Sequence, residues 1–218
     1  MQDEFKNKNK QIGILITNLG TPDSPTSKDL KKYLNEFLMD RRVVDLPRIF
    51  WVPLLKLIIL NVRPRKSAKI YKAIWTDDGS PLLSFSKSIL NELTSNFKEI
   101  DPDITLEIGM RYGNPSIKNA LNNFKEKTIS KILVLPLYPQ AGSPTTTSTF
   151  DAINDHIKNQ SWVPNIRFVS GYHDNDDYIG CLSKSIKKSF SKHGKPDKLI
   201  FSYHGMPERY LHEGDPYF

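Results

Sequence analysis

Apolar runs of strand length alternate along the chain with longer segments in which apolar residues recur every three or four positions. Such runs are typical of buried strands, and the longer segments are typical of amphipathic helices. Strands are predicted in QIGILITNL, ITLEIGM, KILVLPLY, NIRFVSG and KLIFSY, which begin near residues 11, 104, 131, 165 and 198. This alternation predicts an α/β fold with parallel sheets and helices on both faces.

The predicted helices carry start signals as well as periodicity. Ser24 can cap a helix and Pro25 suits its first turn, and Asn114 and Pro115 give a later helix the same kind of start. Three more helices are predicted from apolar residues at helical spacing near 85–97, 150–157 and 179–190.

A cluster of polar and turn-forming residues, NQSWVPN at 159–165, marks the predicted boundary between two domains. We expect a first α/β domain over residues 1–163 and the start of a second over 164–218. The second part holds two predicted strands and one helix, too few for a stable α/β domain. We therefore expect the protein to continue beyond Phe218, and residues after about 164 to fold poorly without the remainder.

Charge and cysteine content narrow the class of partner. The net charge of +7 suggests an anionic partner, which would be nucleic acid, a membrane surface or an acidic small molecule. No nucleic-acid-binding motif is present, so we expect no nucleic-acid partner. The single cysteine, Cys181, excludes a disulfide within the chain and a Cys-x-x-Cys metal site. The polar start MQDEFKNKNK lacks the apolar run of a secretory signal, and we expect a cytoplasmic protein.

The segment IFWVPLLKLIIL, residues 49–60, is the most apolar part of the chain. It is shorter than the roughly 20 residues that cross a bilayer, and Pro53 and Lys56 interrupt it. Its periodicity favours a buried helix, with an apolar surface facing a membrane as the alternative. A basic cluster without an intervening acid follows it: Arg63, Arg65, Lys66, Lys69 and Lys72.

Glycine, proline and polar residues follow the predicted strands in NLGTP, RYGNP, PQAGSPTTTS and HGMP. Ligands of open α/β sheets bind at the carboxyl ends of the strands, so we expect Arg111, Tyr112, Tyr138 and His204 near one mouth. The chain has neither a GxGxxG nor a Walker motif, which gives no support to a nucleotide cofactor.

His204 is the strongest single candidate for chemistry. It directly follows a predicted strand, and Gly205 leaves room for a ligand to approach. Histidine can act as a metal ligand or as a base near neutral pH, and the alternative is a structural histidine in a turn. A metal site of His204, Glu208 and His212 is disfavoured because Gly205 and Pro207 oppose a helix that includes residue 204, although a helix starting near Pro207 would still pair the last two.

The sequence SYHGMPERY followed by EGDPY resembles the signature of the ferrochelatases, enzymes that insert ferrous iron into a porphyrin late in haem synthesis. ILITNLGTP, FLMDRRVVDLP, AKIYKAIW with GSPL, GMRYGNPS and VLPLYPQ agree with the same family in the same order. The chain is most similar to the bacterial type without an iron–sulfur cluster.

The resemblance implies two similar α/β domains around a deep porphyrin cleft. His204 matches the family's histidine, which acts as iron ligand, as the base that removes the pyrrole protons, or as both. The implied cleft residues are Leu19, Gly20, Arg41 or Arg42, Tyr71, Ser80 and Tyr138, and Arg111 and Tyr112 match an Arg–Tyr pair whose role stays open. The implied substrates are Fe²⁺ and a porphyrin, with no tightly bound cofactor. The resemblance favours protoporphyrin IX, and coproporphyrin is the open alternative.

The family also supplies a glutamate opposite the histidine, and none of Glu208, Glu213 and Asp215 matches it. We therefore expect little activity from these 218 residues alone. The resemblance changes the expectation for residues 49–60 from a buried helix to a half-exposed lip, with the basic cluster facing propionates or anionic lipid at the inner membrane surface. The alternatives are a non-catalytic porphyrin- or metal-binding module and a related chelatase acting on another tetrapyrrole or metal.

Overall fold

A four-stranded sheet organises residues 11–217, the part of the chain that the computed structural model describes. The strands are β1 (Ile12–Thr21), β2 (Ile104–Gly113), β3 (Lys131–Pro136) and β4 (Asn165–Phe168). The α-helices of these residues are α1 (Ser27–Met39), α2 (Arg48–Pro53), α3 (Leu60–Ile74), α4 (Pro81–Ile100), α5 (Ile117–Glu126), α6 (Ser148–Ile157), α7 (Asp176–His193) and α8 (Glu208–His212). Two π-helical segments, Leu54–Ile59 and Ser143–Thr147, join α2 to α3 and lead into α6.

All strand pairs are parallel, and the strand order is β2-β1-β3-β4. The predicted α/β class with a parallel sheet is thus confirmed. The chain adds β2 on one side of β1 and β3 on the other, which makes the gap between the ends of β1 and β3 a topological switch point. Crevices of this kind are where open α/β sheets bind their ligands.

The predicted boundary after residue 163 falls between two paired strands. β4 pairs with β3 over Lys131–Val134, so residues 165–168 belong to the same sheet as β1. A boundary at this point would separate hydrogen-bonded neighbours. The existence of a second domain beyond β4 stays a prediction.

The strand predicted at KLIFSY is wrong for the described structure. Residues 198–203 form neither helix nor strand, and the apolar side chains of Leu199, Ile200 and Phe201 are exposed. An apolar β pattern becomes a strand only when a neighbouring strand accepts and donates its hydrogen bonds. Within residues 11–217 the sheet has no strand after β4.

Helix positions agree with the sequence better than helix caps do. Thr26 rather than Ser24 caps α1, and Ser116 rather than Asn114 caps α5. The side chains of both caps accept a hydrogen bond from the backbone N–H three residues later. The predicted helix near Pro207 is also present as α8.

Two buried clusters hold the helices on the sheet. Leu15 and Val134 meet α5 and α6 through Phe124 and Ile153. On the other side, a second cluster joins α1 to the segment 49–60 and to the end of β2: Tyr33, Leu34, Leu38, Trp51, Leu55, Leu60 and Tyr112.

Residues 49–60 form a half-exposed lip, as the resemblance implied. Trp51, Leu55 and Leu60 are buried, and the Trp51 indole Nε1–H donates to the Leu38 carbonyl at 2.7 Å. The outer face is apolar and open to solvent, with Phe50 74% and Leu57 72% exposed. The lip is therefore fixed to the rest of the fold by its buried face and presents apolar side chains to solvent on its other face.

Gly20, at the end of β1, fixes how closely the loop after β1 approaches β2. Its φ is +106°, and a Cβ at this position would lie 1.8 Å from the carbonyl oxygen of Tyr112. Both features exclude a larger residue, because the backbone of β2 cannot move aside without breaking the β1–β2 pairing.

Gly20→Ala should lower the free energy of unfolding by about 3 kcal/mol or more, from backbone strain and the clash together. Gly180→Ala is the matched control, since a Cβ in that part of α7 would meet no atom within 4 Å. Urea unfolding followed by circular dichroism measures both. A Gly20→Ala protein as stable as the wild type would contradict this account of the loop.

Candidate active site at the carboxyl edge of the sheet

A cavity of about 370 Å³ opens at the switch point between β1 and β3. Leu19, from β1, and Tyr138, just beyond β3, contribute to its wall together with His204. Its other lining residues are mainly apolar: Phe37, Leu137, Pro139, Gln140, Gly142, Pro144, Thr145, Met206 and Tyr217. The structure thus brings three of the predicted site residues to one apolar space.

His204 also borders a neighbouring cavity of about 620 Å³, together with His173 and Tyr203. Its side chain is exposed, and a Cβ on the adjacent Gly205 would meet no atom within 4 Å. The imidazole is therefore accessible from both cavities.

Tyr138 presents a buried phenol to this site. Within residues 11–217 its hydroxyl has no hydrogen-bond partner. Burial raises the pKa of Tyr138 well above its ordinary value, so the group stays protonated at neutral pH. It offers a flat apolar ring and one unused hydroxyl.

At the end of α1, the carboxylate of Asp40 accepts hydrogen bonds from three parts of the fold. Its Oδ2 accepts from Arg111 Nη2 at 2.5 Å, from the Tyr112 hydroxyl at 2.8 Å and from the Ser148 hydroxyl at 2.5 Å. Its Oδ1 accepts from the Arg42 backbone N–H at 2.7 Å. One buried side chain thereby ties the end of α1 to the end of β2 and to the start of α6.

The protonation states in this network follow from its geometry. Burial alone would raise the pKa of Asp40, but the hydrogen bonds from Ser148, Arg42 and Tyr112, with the charge of Arg111, lower that pKa below its usual range. Burial raises the pKa of Tyr112. Asp40 is therefore the anion of the network, and Arg111 and Tyr112 are its donors.

The two neighbouring arginines of the loop after α1 differ. Arg42 pairs with Asp151 of α6, with 2.7 Å between Nε and Oδ2. Arg41 is exposed, and within the described residues it forms no ion pair or hydrogen bond. Of the pair, Arg41 is the guanidinium left available to a ligand.

The remaining predicted site residues lie around the cavity rather than on its wall. Tyr71 of α3 packs edge-on against Tyr33, with ring centroids 6.5 Å apart. Ser80 is buried at the start of α4, and Gly20 lies against Tyr112. The substrate-binding roles of the eight predicted residues, and the catalytic and metal-binding role of His204, stay predictions.

Sequence reasoning missed Asp40 and Ser148, which hold Arg111 in place. Asp40 lay within FLMDRRVVDLP, and an acid that directly follows an amphipathic helix could have been flagged as a buried partner for an arginine. No sequence pattern identifies Ser148 as a member of the network. It meets Asp40 only because the segment SPTTTST folds into a π-helical turn that leads into α6.

A separate cavity of about 430 Å³ lies at the opposite, amino end of the sheet, beside Ile129 and Trp162. It shares no lining residue with the cavity of His204. We therefore place the candidate site at the carboxyl edge alone, as the strand topology requires.

A parallel sheet with an apolar cavity and a histidine at its switch point has the architecture of the ligand sites of open α/β proteins. The family model described as ferrochelatase matches residues 11–218. This chain belongs to the ferrochelatase family.

Individual relatives agree. The chain is 47% identical over 208 residues to "Ferrochelatase 2" of Shewanella oneidensis, covering 95% of this chain and 64% of the relative. It is 47% identical to the ferrochelatase of Pseudoalteromonas atlantica, with 95% and 58% covered, and to that of Idiomarina loihiensis, with 95% and 57% covered. The chain spans about three fifths of the length of these curated relatives.

Among residues 11–217, no group of three or more His, Cys, Asp and Glu side chains is arranged to hold a metal ion. No helix in this part of the chain is long and apolar enough to cross a membrane.

Asp40→Asn should lower the free energy of unfolding at pH 7 by about 3 kcal/mol, because it leaves the buried Arg111 without its counter-charge. Since folding depresses the pKa of Asp40, the carboxylate stabilises the protein above the unfolded pKa of about 3.9. This contribution is lost as the pH falls through the lower folded pKa, so the two proteins should converge in acid.

Urea unfolding across the range from about pH 7 to pH 3 tests the Asp40 prediction. Asp155→Asn is the control, because Asp155 forms an exposed pair with Lys158 and should contribute less than about 1 kcal/mol. Equal effects of the two substitutions would contradict the role given to Asp40.

Proposed function

We propose that the protein inserts ferrous iron into protoporphyrin IX to form haem. The carrying observation is that His204, Leu19 and Tyr138 share one apolar cavity at the switch point of the sheet. The proposal is also supported by the relatives described above, which are named as ferrochelatases. On this proposal, the described residues supply one wall of the porphyrin cleft and its histidine.

The chemistry requires a grip on a flat ring and a base close to its centre. A free porphyrin carries two pyrrole N–H protons, so iron enters only as the ring distorts and the protons leave. Leu19 and Tyr138 provide apolar and aromatic surface for the ring face. His204 serves as iron ligand, as proton acceptor or as both, since a neutral imidazole is competent for each task.

The charged groups divide into structural and available ones. Arg111 and Arg42 are paired with Asp40 and Asp151. The exposed Arg41 is free to hold a propionate of the porphyrin, for which a guanidinium fork is well suited. Tyr71 and Ser80 would act from the lip side of the cleft, where the exposed basic residues of α3 also lie.

We further propose that the lip touches a membrane surface without crossing it. Its exposed Phe50 and Leu57 would enter the lipid interface, and the exposed basic cluster of α3 would meet anionic headgroups. A porphyrin held in the interface would then reach the cleft directly. On this proposal, the protein is cytoplasmic and contacts the inner membrane surface peripherally.

His204→Ala should abolish iron insertion and change porphyrin affinity by less than about threefold, because most ring contact comes from apolar groups. Iron insertion by the full-length wild-type and variant proteins is measured anaerobically from the Soret band, and their porphyrin affinity is measured from porphyrin fluorescence. His173→Ala is the control, since His173 borders only the neighbouring cavity of about 620 Å³ and not the cavity of Leu19 and Tyr138. Porphyrin binding without insertion by the wild-type protein would favour the non-catalytic binding module instead.

Replacing Phe50 and Leu57 together by Ser should weaken binding to anionic vesicles at least about tenfold, since two large apolar side chains lose their burial in lipid. The measurement is co-sedimentation with the vesicles at low and at high salt. High salt should weaken the binding of every variant, because it screens the charges of the basic cluster. Ile200→Ser is the control, an exposed apolar residue outside the lip. Equal binding by all three proteins would contradict the proposed contact.

A further inference from the structure

His204 lies in the stretch 194–207, which contains neither helix nor strand. No ladder of backbone hydrogen bonds therefore fixes its Cα relative to the cavity wall. The backbone N–H of His204 instead donates to the hydroxyl of Tyr217 at 3.1 Å. The position of the histidine thus depends on a residue thirteen positions further along the chain.

Tyr217 is in turn held by Asp215. The Tyr217 backbone N–H donates to Asp215 Oδ1 at 2.9 Å, and the Ser143 backbone N–H donates to Asp215 Oδ2 at 2.6 Å. Ser143 begins the π-helical segment whose Pro144 and Thr145 line the cavity. Three hydrogen bonds therefore lead from His204 to the wall that it faces.

We propose that Asp215 is a positioning residue that sets His204 against the cleft wall through Tyr217. The proposal rests on the proposed function, because it assumes that the distance between His204 and the ring matters for iron insertion. Asp215 itself does not line the cavity of His204 and need not touch the porphyrin.

An aspartate fits this task better than its close analogues. Each of its oxygens accepts from a different backbone N–H, one on its own segment and one on the wall. An asparagine keeps one acceptor and places an amide donor against the other N–H, which breaks one of the two links. A glutamate keeps both acceptors but is longer by one methylene, so it can restore the links only with some displacement.

The surrounding segment has anchors that do not involve the Asp215 side chain. Tyr210 of α8 is buried, and its carbonyl accepts from the Asp215 backbone N–H at 2.8 Å. Arg209 pairs with Asp45 at 3.2 Å. Substitution of the Asp215 side chain is therefore expected to leave α8 in place and to move the link to His204.

The first test is steady-state iron insertion by Asp215→Asn and Tyr217→Phe, with Glu213→Gln as the control for loss of a nearby exposed acid. We expect kcat to fall about tenfold or more in the first two proteins, with KM for porphyrin within about threefold, because misplacing a reacting group by a fraction of an ångström weakens catalysis more than binding. Asp215→Glu should recover part of the loss. An unchanged kcat in Asp215→Asn would overturn the proposal.

The second test does not need catalysis. Amide hydrogen exchange at His204 should be about tenfold faster in Tyr217→Phe and in Asp215→Asn than in the wild type, and unchanged in Glu213→Gln. The double variant should exchange no faster than the faster single one, because both substitutions break the same path. Unchanged exchange in both single variants would overturn the proposal.

The two measurements separate the two ideas. A full-length wild-type protein that inserts no iron would refute the proposed function, and amide exchange would still decide whether Asp215 positions His204. Faster exchange with unaltered kcat would leave the proposed function standing and overturn the positioning role in catalysis.

Discussion

The buried carboxylate of Asp40 is the interaction on which the rest of the site depends. A charge that is almost removed from water is tolerated only when donors surround it, and here Arg111, Tyr112, Ser148 and the Arg42 backbone supply them. These donors come from three different elements, so satisfying one anion forces α1, β2 and α6 to meet at the carboxyl edge. The packing of α1 and α6 against the end of β2 is a consequence of that requirement.

The strand order then decides where a ligand can enter. Because β2 and β3 lie on opposite sides of β1, the loops that follow β1 and β3 diverge and leave a crevice between them. Leu19, near the end of β1, and Tyr138, just beyond β3, line this crevice. Gly20 lets the first loop turn against β2 without closing the crevice, since its backbone conformation and the nearby Tyr112 carbonyl admit no side chain.

Local patterns were enough to predict the four strands and most of the helices. They also brought Tyr138 and His204 to one cavity, although Arg111 and Tyr112 do not line it. Apolar runs located β1 to β4, and helical spacing located α1, α4, α5, α6 and α7 but not α3, because both patterns depend on nearby residues. Pairing does not: nothing in NIRFVSG shows that it lies beside β3, and nothing in KLIFSY shows that it lacks a neighbour in this structure. The Asp40 network and the link through Asp215 escaped for the same reason, since both join residues far apart in the chain.

The wall and the histidine of this site are held in place by different interactions. The wall rests on a sheet, two buried clusters and a charge network. His204 is exposed and depends on a short series of hydrogen bonds, each with a net worth of about 1 kcal/mol. A small displacement of the histidine should therefore cost little free energy, whereas a displacement of the wall should cost much more. Under the proposed function, the placement of the reacting imidazole would thus depend on the bonds through Tyr217 and Asp215, whereas the wall keeps its shape without them.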